Sequence, residues 1–154
     1  MTDVKSWLNR YRDDVSYSDL LRERLEVSKT LSAEPQHHTL DGMPHSSEIS
    51  DRTATSATRT VILENEFHAA AEKAQQSFNE IEAVLNAIPI KRQKEKNAVI
   101  VLECRYLDLM PWSAILAVLY GNKDDFEDRV ESYKRALFRV HGLGLELVQK
   151  ALAQ

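Results

Sequence analysis

No glycine or proline interrupts the chain between Val4 and Leu31, or between Ala54 and Ile88. Segments of that length without a turn residue leave a strand-and-turn architecture nowhere to reverse. Gly and Pro number 4 each in 154 residues, against usual usages of roughly 7% and 5%. All-β and Rossmann-like folds need more of both, so an all-α fold is expected.

In the first segment Val4, Trp7, Leu8, Tyr11, Val15, Leu20, Leu21, Leu25 and Leu31 recur mostly at helical spacing. With Thr2 or Asp3 as cap, they predict a helix over about 3–31, roughly 40 Å long. In the second segment Ala57, Ala71, Phe78 and Leu85 interleave with Phe67, Ala74, Ile81 and Ile88 in a heptad-like series. That series predicts a helix over about 54–88, roughly 50 Å long. Alanines at 69, 70, 71 and 74 permit close helix approach. Residues 1–88 are therefore expected to form a long antiparallel helical hairpin, a packing scaffold or oligomerisation arm. Such hairpins often pair, which makes a homodimer through the hairpin an expectation, with no stoichiometry fixed by the heptads.

Between the two helices, 33–53 holds Pro35, Gly42 and Pro44 among many Ser, Thr and Asp, and is expected to be a connecting loop. His37, His38 and His45 lie there without the i, i+4 frame or the nearby cysteine that a zinc site needs. No metal and no cofactor are expected. The single cysteine, Cys104, excludes an intrachain disulfide. The N-terminus lacks an apolar signal core, and no stretch approaches the roughly 18 apolar residues of a membrane span. A cytoplasmic, non-membrane protein is expected.

Pro89 stops the second helix, and the charge balance changes with it. Residues 1–88 carry 9 Lys plus Arg against 15 Asp plus Glu, net -6, whereas 89–154 carry 11 against 9, net +2. The overall -4 is thus an average of two unlike parts. After Pro89 an apolar run through Val99, Ile100, Leu102, Tyr106 and Leu107 predicts a helix of about 18 residues. Pro111 sits N1-like before a short helix, WSAILAVLY, with Gly121 in the C′ role. From Asp124, the series Phe126, Val130, Tyr133, Leu137, Val140, Leu147 and Ala151 predicts a last helix running nearly to the end. Gly144 fills its apolar stripe, and Gly142 and Gly144 should each weaken it by roughly 1 kcal/mol.

Opposite that stripe, Ser132, Arg135, Arg139 and Gly142 share one line, with Lys134, Phe138 and His141 on the next. Arg129, Lys134, Arg135 and Arg139 face only Glu131 within 129–141, the right sign for DNA. An alternative remains open. Asp125 with Arg129 and Glu131 with Arg135 are i, i+4 pairs that would merely support the helix. Lys91, Arg92, Lys94 and Lys96 put positive charge at a helix start, which the dipole disfavours unless phosphate is near. They are candidates for phosphate contact or a solvated basic turn.

The residues VLECRYLDLMPWSAILAVLYG followed by ESYKRALFRVHGLGLELV resemble the fourth conserved region of bacterial sigma factors. Over nearly its full length the chain resembles the RinA/ArpU-like late-transcription regulators of Gram-positive phages and prophages. The matching features are Trp7-Leu8, the Asp41–Pro44 motif, Arg105–Leu107 before Pro111-Trp112, and Asp125–Arg129 leading to Ser132, Tyr133, Phe138, Arg139, His141 and Gly142. The resemblance implies that 89–154 is a sigma region-4-like helix-turn-helix subdomain that binds double-stranded promoter DNA and works with host RNA polymerase. In that reading 111–120 is the supporting helix, and Tyr133, Lys134, Arg135, Phe138 and Arg139, with Arg129 and Ser132, face DNA. Leu137, Val140 and Leu145 take the packing side.

The alternative function is a protein-interaction adaptor that docks on RNA polymerase or another phage protein without DNA contact, which the acidic hairpin favours. Catalysis is not expected. The chain has no glycine-rich phosphate loop, nucleophile elbow or HExxH, and Cys104 in an apolar stretch reads as a buried small hydrophobe.

Overall fold

The computed structural model describes residues 3–33 and 48–154, with side chains from 54 onward in the second range. The Asp41–Pro44 motif and His37, His38 and His45 lie outside the described residues. The described chain is all-helical. Helix α1 spans Val4–Ala33 and α2 spans Glu48–Ala87, and the two pack closely as a hairpin. Helix α3, Gln93–Leu102, runs into a π-helical turn, Glu103–Leu107. Helices α4, Trp112–Tyr120, and α5, Val130–Leu152, complete the order. None of the described helices is long and apolar enough to cross a membrane.

Asp3 caps α1: its carboxylate accepts from the Lys5 N–H at 3.3 Å and the Ser6 hydroxyl at 3.0 Å. Helix α2 starts at Glu48, not near 54. The Ser, Thr and Asp of 48–53 suggest loop, but no Gly or Pro there prevents helix. The expected 18-residue helix after Pro89 is instead ten α-helical residues and a wide turn. There the Asp108 N–H reaches the Glu103 carbonyl and the Met110 N–H that of Cys104, each at 2.9 Å. Leu109 takes the left-handed conformation, φ 55°, and Pro111 holds the residue before it extended. Pro111 is the N-cap of α4 rather than N1. Gly121 is its right-handed C-cap at φ -61°, where an added Cβ would stand 2.4 Å from the Ala117 carbonyl oxygen.

Helix α5 begins at Val130, six residues after the expected start, because 124–129 folds into turns. The Asp125 carboxylate accepts from the Tyr133 hydroxyl at 2.6 Å and from Arg129 at 3.3 Å, which ties the turns to the first part of α5. The connection between α4 and α5 is thus nine residues, 121–129, longer than the three or four of a simple helix-turn-helix.

Two compact units divide the chain, and the division does not fall at Pro89. The first comprises residues 1–13 and 75–154, the second 14–74. In the first unit Leu8, Ile81, Leu85 and Ile88 share a core with Val99, Leu102, Tyr106 and Val148. Val101, Cys104, Ile115, Leu116 and Leu137 form a second core. Helices α3 and α5 carry apolar residues on two faces, and the short α4 can cover only one of them. The hairpin end supplies the other. Gly144 lies where α5 meets α3: a Cβ there would come within 2.9 Å of Leu102 Cγ and 3.2 Å of the Ala98 carbonyl oxygen. In the second unit Leu21, Leu25, Leu63, Ala70 and Ala74 are buried. Ser28 and Thr60 hydroxyls meet at 3.0 Å, and Lys29 pairs with Glu64 at 3.3 Å.

Candidate nucleic-acid interface

The seven residues expected to face DNA lie on α5 or at its N-cap, but their environments differ. Leu137 is buried, and Val140 and Leu145 are half-buried, so the packing side is filled as the periodicity requires. Ser132, Lys134, Arg135, Phe138 and Arg139 are exposed, as is the N-cap Arg129. Tyr133 is half-buried and already engaged within the fold. Its ring stacks on Tyr120 at 4.9 Å and Phe126 at 6.1 Å, and its hydroxyl donates to Asp125. That bond holds the Asp125 carboxyl below its usual range and pushes the Tyr133 phenol up. Tyr133 is therefore a strut for the 124–129 turns.

Among the cations, Arg129 pairs with Asp125 at 3.3 Å and Lys134 with Glu131 at 3.0 Å. The anticipated Glu131–Arg135 pair is absent from the described contacts, because Glu131 is taken by Lys134. Among the described residues Arg135 and Arg139 have no ion-pair partner. They are one helical turn apart, on one exposed face, with side-chain origins roughly 6 Å apart. Asp124, Glu127, Asp128 and Glu131 are exposed around the start of α5. The positive potential thus belongs to the second and third turns of α5 and not to its N-terminal end.

Trp112 underlies this face. The Arg105 guanidinium lies 4.7 Å from its ring centroid and donates to the Met110 carbonyl at 3.0 Å, so one side chain clasps the 108–111 turn and the indole. Phe138 meets the same indole at 5.2 Å, yet remains 52% exposed. His141, on the expected exposed line of Lys134 and Phe138, is in fact buried. Its ring meets Trp112 edge-on at 4.9 Å, and Nε2 shares a hydrogen bond with the Tyr106 hydroxyl at 2.9 Å. Burial, then the charges of Lys5 and Arg105, push its pKa down to about 4. His141 is a neutral core group. A histidine reads as polar in a helical pattern, and its partner Tyr106 is 35 positions away, so no local signal marks it.

Lys91, Arg92, Lys94 and Lys96 are exposed before and within the first turn of α3. The helix start already holds an anion. The Glu95 carboxylate accepts from the backbone N–H of Lys91 at 2.7 Å and of Arg92 at 3.1 Å, which lowers its pKa. The dipole is satisfied from within, so these side chains do not require a phosphate to explain them.

Comparison with family models, curated proteins and solved structures finds no match. The chemistry of the face must therefore speak for itself. It offers two unpaired guanidiniums, a polar Ser132, and a half-exposed aromatic, the residue types that meet phosphates, guanine edges and thymine methyls. Among the described residues no group of three His, Cys, Asp or Glu could hold a metal ion.

Proposed function

We propose that the chain is a cytoplasmic DNA-binding transcription regulator of phage or prophage genes, an activator of late genes that works with host RNA polymerase through a sigma region-4-like helix-turn-helix. The observation that carries this reading is the pair Arg135 and Arg139, exposed and without ion-pair partners one turn apart on α5 while Arg129 and Lys134 are paired. An unpaired arginine pair at that spacing matches bidentate contact with guanine or adjacent phosphates in the major groove. Arg139 and Arg135 are the principal contacts, with Ser132, Lys134 and Phe138 beside them and the 91–96 cations as peripheral phosphate contacts.

The test is DNA binding to the region upstream of the neighbouring late genes, at two salt concentrations. Affinity should fall steeply with salt, and Arg139→Ala should cost about 1–3 kcal/mol, roughly 5- to 150-fold in affinity. Absence of binding at low salt, or an Arg135→Ala/Arg139→Ala double variant that binds like the original, overturns the proposal.

A second reading, an adaptor that docks on RNA polymerase without touching DNA, draws on the exposed Val118 and Phe138 side chains. A polymerase pull-down that survives neutralisation of positions 134, 135 and 139 and fails with Phe138→Ser selects it.

A further inference from the structure

Helix α1 carries two heptad seams in the second unit. The seam turned to α2 is Asp14, Ser18, Leu21, Leu25, Ser28 and Ser32, of which only two are apolar; Ser28 and Ser32 meet Thr60 and Ser56 across it. A second seam, Tyr17, Leu20, Arg24, Val27 and Leu31, has the 3-4-3-4 spacing of a coiled-coil contact line, yet Tyr17, Leu20, Val27 and Leu31 are 53–64% exposed. The outward seam is thus more apolar than the inward one. Its Leu20, Arg24, Val27 and Leu31, together with Arg59 and Ile62 on α2, line a groove floored by the buried Leu63, and the exposed Tyr17 continues the same line along α1.

We propose that this groove is the interface of a two-fold homodimer, in which the same face of a second copy fills it and the two hairpins form a four-helix bundle. The order of residues identifies the occupant. Read in either direction the seam is apolar, apolar, arginine, apolar, apolar, and a two-fold contact requires such self-complementarity because each residue meets the mirror position of the same face. Antiparallel pairing about Arg24 sets Tyr17 against Leu31 and Leu20 against Val27. The charges agree. Arg24, Arg59, Glu23 and Glu66 all line the groove, have no ion-pair partner among the described residues, and include both signs equally. The two Arg24 side chains meet at the two-fold axis, and Glu23 of the second copy, within reach of each, offsets their repulsion; a single polar position in an apolar seam fixes register. The face is about 21 Å long and two helices wide, at the small end of specific interfaces, so micromolar pairing is expected. The inference does not depend on DNA binding.

Sedimentation equilibrium of the full chain from about 1 to about 100 µM tests it. The chain should be a dimer at the upper end, and Leu20→Glu/Val27→Glu should weaken dimerisation at least about 100-fold with unchanged helical circular dichroism, since both sites are exposed in the monomer. Arg24→Glu should also weaken it, and adding Glu23→Arg should restore it, which a non-specific apolar contact would not do. A chain that stays monomeric throughout, or a Leu20→Glu/Val27→Glu variant that dimerises as well as the original, overturns the proposal. So does a monomeric chain that dimerises only when 35–46 is replaced by a Gly-Ser linker, since the occupant would then be that segment of the chain itself.

Discussion

At the residue scale, position along α5 does not decide what a side chain does; what reaches it from elsewhere does. Tyr133 and Arg139 share an expected role, but Asp125, Tyr120 and Phe126 claim the first and leave the second exposed. Tyr133→Phe should therefore lower the melting temperature by releasing the 124–129 turns, while DNA affinity is unchanged; an affinity loss without a stability loss would restore Tyr133 as a contact. His141 gives a pH signature. Its folded pKa is held at about 4, below the ordinary value near 6.5, so between these limits the unfolded chain binds the extra proton. Stability should fall as pH drops from about 6.5 towards 4, by at most about 3 kcal/mol from this group. Chemical denaturation of the original chain and His141→Gln across that window checks the sign, and the variant should show the shallower decline. The exposure of Arg135 and Arg139 was legible from their place opposite the apolar stripe, although spacing alone left a Glu131–Arg135 pair open. The burial of His141 was not, because its partner is set by tertiary packing, and Tyr133 was legible as a member of the apolar stripe but not as the partner of Asp125.

At the scale of the element, Gly142 and Gly144 carry the same helix penalty but lie on different faces, and they act oppositely in the helix. A Cβ at Gly142 meets nothing within 4 Å, whereas at Gly144 it meets the fully buried Leu102. Gly142→Ala should stabilise by about 0.5–1 kcal/mol through helix propensity. Gly144→Ala should destabilise by about 1 kcal/mol or more, as overpacking of α3 against α5 outweighs the same gain. Thermal melts of the two variants, shifting in opposite directions, check this. The long helices were readable because 3.6-residue periodicity and the absence of Gly and Pro are local properties. The π turn at 103–107 was not. It is followed by the left-handed Leu109, a residue type that rarely adopts that conformation, and Arg105 within it clasps the Met110 carbonyl.

At the scale of the whole molecule, the charge boundary and the packing boundary are different things. The net charge changes sign at Pro89, but Leu8, Ile81, Leu85 and Ile88 lie in the same core as Val99, Leu102 and Val148. Removing them exposes apolar faces of α3 and α5 that α4 cannot cover. A fragment of residues 89–154 should accordingly lose most of its helical circular dichroism, where the full chain retains it; a fully helical fragment would refute the shared core. Cys104 offers a way to watch the second core of the same unit in the intact chain. It is the single cysteine of the sequence, it sits beside Ile115 and Leu137, and burial, with Asp108 and Glu103 nearby, pushes its thiol pKa up. A thiol so placed reacts only when its surroundings open. The labelling rate of the unmodified protein should therefore count openings of the α4 and α5 packing, and slow when a duplex clamps α5, a clock that needs no engineered probe.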